Sequence, residues 1–214
     1  MPKVDRILVL GDIVGYGPDP NAVIDRLRSR GVAAVIGNHD AAVLTPALLD
    51  WFNPHAAAAA RWTATVLSER SRLYLASLPE LGRLGAHRYV HGSPRKPYIW
   101  EYILDELQAL EILMRMGRRL CFFGHTHLPR IFSEDGEGVP DSGEWLPLPA
   151  AALVNPGSVG QPRDGNPDAA FAVVDLKIPA VRFERVAYDI ATTQQKIVEA
   201  GLPEIEAARL AYGR

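Results

Sequence analysis

Ile7-Leu8-Val9-Leu10-Gly11-Asp12 and, one crossover later, Val32-Ala33-Ala34-Val35-Ile36-Gly37-Asn38-His39-Asp40 share one grammar: an apolar run, a glycine, then polar side chains able to bind metal or move protons. A continuous apolar run bounded by turn residues is what a strand buried on both faces looks like. Between the two runs a helix is expected from Asn21, with Val23, Ile24 and Leu27 on one face and Gly31 as its stop. A strand, a loop, a helix and a strand predict a parallel crossover, which brings Asp12 and Asn38 to the same carboxyl edge of a sheet. The grammar recurs twice: residues 88–90 lead into His91-Gly92, and residues 120–123 into Gly124-His125-Thr126-His127.

The rest of the chain fits the same fold class. Residues 56–67 are alanine-rich and helical, and Pro79 and Gly82 break that pattern. Residues 98–116 are amphipathic, with Ile103, Leu107, Leu110 and Met114 at helical spacing, a stripe that reads as core packing. Strands are expected at 119–123, 128–132, 151–155, 170–175 and 181–186, a helix at 190–200 and a short one after Pro203. The stretch 133–144 reads as an exposed loop or hairpin tip; its acids, from Glu134 to Glu144, lack the alternation of a calcium-binding EF-hand loop. With no repeat, linker or composition break, residues 1–214 read as a single α/β domain.

Composition narrows the function. With 48% hydrophobic and 22% charged residues, 214 residues suit one sizeable core. A net charge of −2 gives no electrostatic case for nucleic acid or an anionic membrane. No apolar run approaches the roughly 18 to 20 residues needed to span a bilayer. Met1-Pro2-Lys3-Val4-Asp5 runs directly into a strand-like segment, unlike a signal peptide. The one cysteine, Cys121, reads as a buried reduced thiol, and the expected location is cytoplasmic.

The chemistry lies in the motifs. Phosphate esters hydrolyse slowly because water is a weak nucleophile and the phosphoryl oxygens repel it; two cations about 3.5–4 Å apart offset both. Such a site needs a bridging carboxylate, for which Asp12 is suited, and neutral ligands, for which Asn38, His91, His125 and His127 are suited. His39 is then free to protonate the leaving oxygen, with Asp40 placed to orient its ring. Four of the six histidines fall in these motifs, whereas structural histidines scatter; His55 and His87 read as ordinary.

The ordered set Gly-Asp, Gly-Asn-His-Asp, His-Gly and Gly-His-x-His resembles the calcineurin-like metallophosphoesterase superfamily. Asn155-Pro156-Gly157-Ser158-Val159-Gly160-Gln161-Pro162-Arg163 is similar to its small bacterial phosphodiesterase branch. The resemblance implies a four-layer α/β/β/α sandwich of two mixed sheets flanked by helices. It implies one metal held by Asp12, Asn38, His91 and His125, and a second sharing Asp12 and taking His127 with an Asp and a His from an Asp-x-His motif on a preceding strand. No Asp in this sequence is followed by His two positions later. The expectation is therefore a chain that begins late, downstream of that central strand, or a shortened protein with one four-ligand site and an impaired second.

The implied reaction is attack of metal-bound hydroxide on a small phosphodiester or phosphomonoester, nucleotides included. Manganese suits the mixed oxygen and imidazole set, and iron, zinc, nickel and magnesium are the other candidates. A homo-oligomer is compatible with the sequence. Gly15-Tyr16 stand where the Ser/Thr phosphatases of the superfamily carry Asp-Arg, and Asp40 where they carry Glu, which disfavours a phosphoprotein substrate. Arg95 and Arg163 are the candidate substitutes for that phosphate clamp, and Tyr16 for a cover or a stacking surface in the cleft. The opposing reading is a binding scaffold with a degraded metal site, by analogy with the retromer subunit of this fold; the intact His39-Asp40 pair weighs against it.

Overall fold

The computed structural model describes residues 4–214; the expected run of residues 1–3 into a strand lies outside them. The opening crossover forms as expected. β1 (Leu8–Val9) passes through α1 (Pro20–Ser29) to β2 (Ala33–Ala34), and the strands pair in parallel with Leu8 opposite Ala33. Pro20 starts α1 without losing a needed N–H, and Arg26 and Arg28 complement the dipole in its last turn. Gly37 then begins α2 (Asn38–Leu44), so the Gly-Asn-His-Asp tetrad is a helix start. Asn53 caps α3 (Pro54–Val66), its Oδ1 accepting the N–H groups of His55 and Ala56 at 3.1 and 3.0 Å. With α4 (Glu69–Ala76), these helices bury Ile24, Val43, Ala57 and Leu75 in one cluster.

The chain continues through β3 (Leu81–Leu84), β4 (His87–Val90), α5 (Glu106–Met116), β5 (Leu120–Phe122), β6 (Pro129–Ser133) and β7 (Gly136–Gly138). It ends with β8 (Trp145–Pro147), β9 (Ala152–Pro156), β10 (Ala169–Asp175), β11 (Ala180–Val186), α6 (Ile190–Glu199) and α7 (Glu204–Ala208). Six strands make one mixed sheet in the order β3-β4-β5-β9-β6-β7. Its centre, β4-β5-β9, is parallel, so the turns carrying His91 and His125 leave from one edge.

Side chains alternate across this sheet with the period of two that a strand imposes. Val90, Cys121 and Leu153 face α5, where they meet Ala109, Ile112, Leu113 and Met116. Tyr89, Phe122 and Val154 face a second layer made of two pieces, β1-β2 and β10-β11-β8. Val35 comes from the first piece and Val181 and Phe183 from the second. Outside that layer lie the remaining helices, with Ala59 of α3 packed against Ile197 of α6. The α/β/β/α layering is thus present, and among the described residues no pairing joins β1 to β10. Among them, too, no helix is long and apolar enough to cross a membrane.

One local expectation is met and another corrected. The helical pattern ends at Ala76, and Gly82 sits inside β3, opposite Tyr89, where a Cβ would lie 1.9 Å from the tyrosine ring. The helix expected over residues 98–116 starts only at Glu106, because the Asp105 side chain caps it by accepting the Gln108 N–H at 2.8 Å. Its buried face is Ala109, Ile112, Leu113 and Met116, while Leu107 and Met114 are 76% and 85% exposed. Both stripes are apolar at helical spacing, and packing on the sheet selects the second.

Candidate metal centre

Asp12 follows β1, Asn38 and His39 open α2, His91 follows β4, and His125 and His127 follow β5. These turns meet where the carboxyl ends of the strands converge. Donor atoms of Asp12, His91 and His125 all lie within 4.8 Å of one another. His91 Nε2 is 3.0 Å from Asn38 Oδ1, 3.0 Å from His125 Nδ1 and 3.3 Å from Asp12 Oδ2. Asp12 Oδ1 accepts the His39 N–H at 2.9 Å, while Oδ2 is buried and makes no hydrogen bond. A buried carboxylate oxygen left unpaired beside two imidazoles is costly unless a cation completes it. The four side chains Asp12, Asn38, His91 and His125 therefore fit one divalent ion, with a mixed oxygen and nitrogen donor set.

The surrounding backbone fixes which ring nitrogen is free. His91 Nδ1–H donates to the Leu10 carbonyl at 2.6 Å, and His127 Nδ1–H to the Gln161 carbonyl at 2.7 Å, which leaves each Nε2 with its lone pair. Asp12, His125 and His127 have φ of 51°, 67° and 61°, a left-handed backbone that costs about 1–3 kcal/mol per residue and concentrates at functional sites. Gly11, at φ 86°, lets the chain pass close to its neighbours: a Cβ there would lie 2.7 Å from His91 Nδ1. Gly37 is as tightly placed, since its Cβ would fall 2.1 Å from Asp12 Oδ1. Asn155, fully buried at the end of β9, donates from Nδ2 to the Gly124 carbonyl at 2.8 Å and to Thr126 Oγ1 at 3.0 Å, pinning the His125–His127 turn.

The electrostatics suit metal binding. Burial opposes ionisation of Asp12, but the neighbouring His91 and His39 outweigh it and hold the carboxyl far below its ordinary range. His125 is pushed down to about 3, by burial first and then by His91. His127 is also pushed down to about 3, by burial and then by Arg163. Both imidazoles are therefore neutral at physiological pH, the form that ligates. Burial resists charge on His91, yet Asp12 beside it raises its pKa. Burial lowers that of His39.

The structure redistributes several expected roles. His39 stacks under Tyr16, ring centroids 4.0 Å apart, and packs against Phe52 at 4.6 Å; Tyr16 also meets the edge of His127 at 5.6 Å. Asp40 does not orient the His39 ring. Its carboxylate accepts the Gly37 N–H at 2.9 Å and the Val14 N–H at 3.0 Å, tying the loop after β1 to the start of α2. Burial, then Asp12, pushes its pKa up to about 7. Arg95 is corrected as a phosphate ligand: its guanidinium is taken by Glu101, from Nε at 3.1 Å, and by Glu111, from Nη1 at 2.9 Å.

Arg163 lies beside the histidine turn, its backbone N–H donating to the His127 carbonyl at 3.3 Å. Its charge acts on Tyr16, His39 and His127, and its guanidinium donates to Gln161 Oε1 at 2.9 Å, with no carboxylate in ion-pair reach among the described residues. His127 lies outside the converging donor group, and no described residue supplies the two further ligands of a second ion. Sequence reading missed Tyr102, stacked on His125 at 3.7 Å, and Glu206, a buried carboxylate that accepts Gln161 Nε2–H at 2.8 Å. Neither carries a local motif.

This convergence of an aspartate, an asparagine and histidines at strand ends, on an α/β/β/α frame, is a candidate metal-binding arrangement. Residues 1–178 match the calcineurin-like phosphoesterase superfamily domain, and the chain belongs to that superfamily. The uncharacterized protein MJ0912 of Methanocaldococcus jannaschii is 38% identical over 216 residues, covering 99% of this chain and 88% of its own. The crystal structure of a metallophosphoesterase from Sphaerobacter thermophilus is 43% identical, with a TM-score of 0.86 over 99% of this chain and 89% of that one. The hypothetical protein PH1004 from Pyrococcus horikoshii OT3 shares the fold, with a TM-score of 0.81 at 24% identity over 99% of this chain and 86% of that one.

Proposed function

We propose that the chain hydrolyses a small phosphodiester or phosphomonoester, nucleotides included, with a divalent ion held by Asp12, Asn38, His91 and His125. The observation that carries this is the convergence of Asp12, His91 and His125 around the unpaired, buried Asp12 Oδ2. A bound cation there supplies positive charge to the phosphoryl oxygens and lowers the pKa of water. Manganese is the proposed ion, and the cytoplasm the proposed location.

The chain's own groups do the rest. Arg163, held by Gln161 and without a carboxylate partner among the described residues, anchors the phosphate. His39, fixed in plane by Tyr16, delivers a proton to the leaving oxygen. His127, whose Nδ1 is engaged by the Gln161 carbonyl, keeps Nε2 free to bind a second ion if further ligands complete its site. Asp40 holds the His39 helix start against the loop after β1.

Turnover of bis(4-nitrophenyl) phosphate with added Mn2+ tests this. Wild type should be active, Asp12→Asn and His125→Ala inactive, and His39→Ala slower in kcat by about 100- to 10,000-fold. No turnover with manganese, iron, zinc, nickel or magnesium overturns the reading. One observation favours the scaffold alternative, the absence of His127 from the converging donors; under it wild type and all three variants behave alike.

A further inference from the structure

The segment between β4 and α5 forms the wall of the metal centre next to His125, and it has an unusual surface. Tyr102 lies flat on the His125 ring, centroids 3.7 Å apart and planes 13° from parallel, yet it is 43% exposed. One face of the phenol is occupied, so the exposed area belongs to its rim and its other face. Tyr98 and Ile99 beside it are 53% and 52% exposed. Aromatic surface left to water at the edge of a polar site is available to stack on a ligand.

The segment is held rigidly. The Ser93 N–H donates to the Glu101 carbonyl at 2.9 Å, and Arg95 ties Glu101 to Glu111 on α5. Gln108 Nε2–H donates to the Tyr102 carbonyl, and its Oε1 accepts the Leu104 N–H at 3.1 Å. Ile103, 2% exposed, anchors the segment in the core. Trp100, at φ 48°, is the remaining non-glycine residue with left-handed backbone among those described, so strain is also stored here. The ion-pair network that removes Arg95 from the phosphate thus holds Glu101, the residue before Tyr102.

Tyr16 offers no equivalent surface, because His39 and His127 occupy its face and edge. Arg163 supplies the cationic counterpart, since its backbone N–H donates to the His127 carbonyl at 3.3 Å, on the turn that carries His125. A planar ring on Tyr102 and a phosphate at the metal centre near Arg163 describe one elongated ligand.

We propose that Tyr102 is a specificity-determining residue that stacks on a planar aromatic group of the substrate, a nucleobase, so that the preferred substrates are nucleotide esters. This rests on the phosphoesterase reading above and narrows its substrate class. Base-on-aromatic stacking is worth about 5- to 150-fold in affinity.

The test is calorimetric binding to the manganese-loaded full chain of adenosine 5′-monophosphate and of ribose 5-phosphate, which differ only in the base. Wild type should bind the nucleotide about 5- to 150-fold more tightly. Tyr102→Phe should keep that ratio, and Tyr102→Ala should bring it close to one. Equal binding of the two ligands by wild type overturns the proposal. So does a Tyr102→Ala variant that weakens both in parallel, which would mark Tyr102 as a prop for His125 alone. Binding of neither ligand also overturns it, and the bis(4-nitrophenyl) phosphate assay then tells whether the phosphoesterase reading falls with it. An added 4-nitrophenyl phosphate titration separates a nucleobase from any aryl ring: a nucleobase site prefers the nucleotide, an undiscriminating ring site does not.

Discussion

Replacing Gly37 by alanine should disable the metal centre and leave most of the fold standing. The added Cβ would lie 2.1 Å from Asp12 Oδ1, 2.3 Å from Asp12 N and 2.9 Å from Asp12 Cγ, inside the 3.0 Å that real Cβ contacts respect. Gly37 has φ −97°, which alanine adopts freely, so the effect is steric and not conformational. Asp12 must retreat by roughly 1 Å, and its hydrogen bond from the His39 N–H goes with it. Overpacking of this kind costs about 1–3 kcal/mol of stability. Displacing a ligand's support weakens metal binding about 10- to 100-fold, or about 1.4–2.7 kcal/mol. Titration calorimetry with Mn2+ and a thermal melt measure both. Gly17→Ala, with nothing within 4 Å of the new Cβ, serves as the control. If Gly37→Ala binds manganese and melts like wild type, Asp12 is not where the site requires it.

Three further outcomes are expected. Ile112→Ala should cost about 2–5 kcal/mol in urea denaturation and Met114→Ala under about 0.5, because Ile112 is 1% exposed and Met114 85%; comparable losses would restore the stripe first expected from the sequence. The Cys121 thiol, fully buried and pushed up to about 12 by that burial, should resist alkylation at pH 8 in the native protein and react at once in denaturant; rapid native labelling would contradict its place in the sheet. Asn155→Ala, which removes the side-chain donor shared by the Gly124 carbonyl and the Thr126 hydroxyl, should lose about 0.5–1.5 kcal/mol and weaken Mn2+ binding through the His125 turn; an unchanged metal affinity would refute the pinning role.

The metal centre was legible in the sequence because its information is local. Each ligand sits one to three residues past an apolar run, so finding the strands Leu8–Val9, Ala33–Ala34, His87–Val90 and Leu120–Phe122 also finds their carboxyl ends. The α1 crossover followed from the same pattern.

What depends on packing at a distance was not legible. Asp40 looks like a partner for His39 by adjacency, yet the helix start claims one of its oxygens and Val14 the other. Arg95 looks like a phosphate ligand from its place after His91, but Glu101 and Glu111 return through the loop and α5 to take it. Two apolar stripes compete on residues 103–116, and only contact with Cys121, Phe123 and Leu153 decides between them. Gly82 marks the end of the helical pattern, but that the Tyr89 ring needs its missing side chain shows only in the sheet. Tyr102 acquires its role solely by stacking on His125, 23 residues later in the chain.

The central claim is that Asp12, Asn38, His91 and His125 hold a divalent ion. Metals per chain, counted by elemental analysis after loading with Mn2+ and desalting, tests it. At least one manganese per wild-type chain is predicted, falling to none in an Asp12→Ala/His125→Ala double variant that still folds. A wild-type chain that emerges without metal, or a double variant that retains it, would contradict the account.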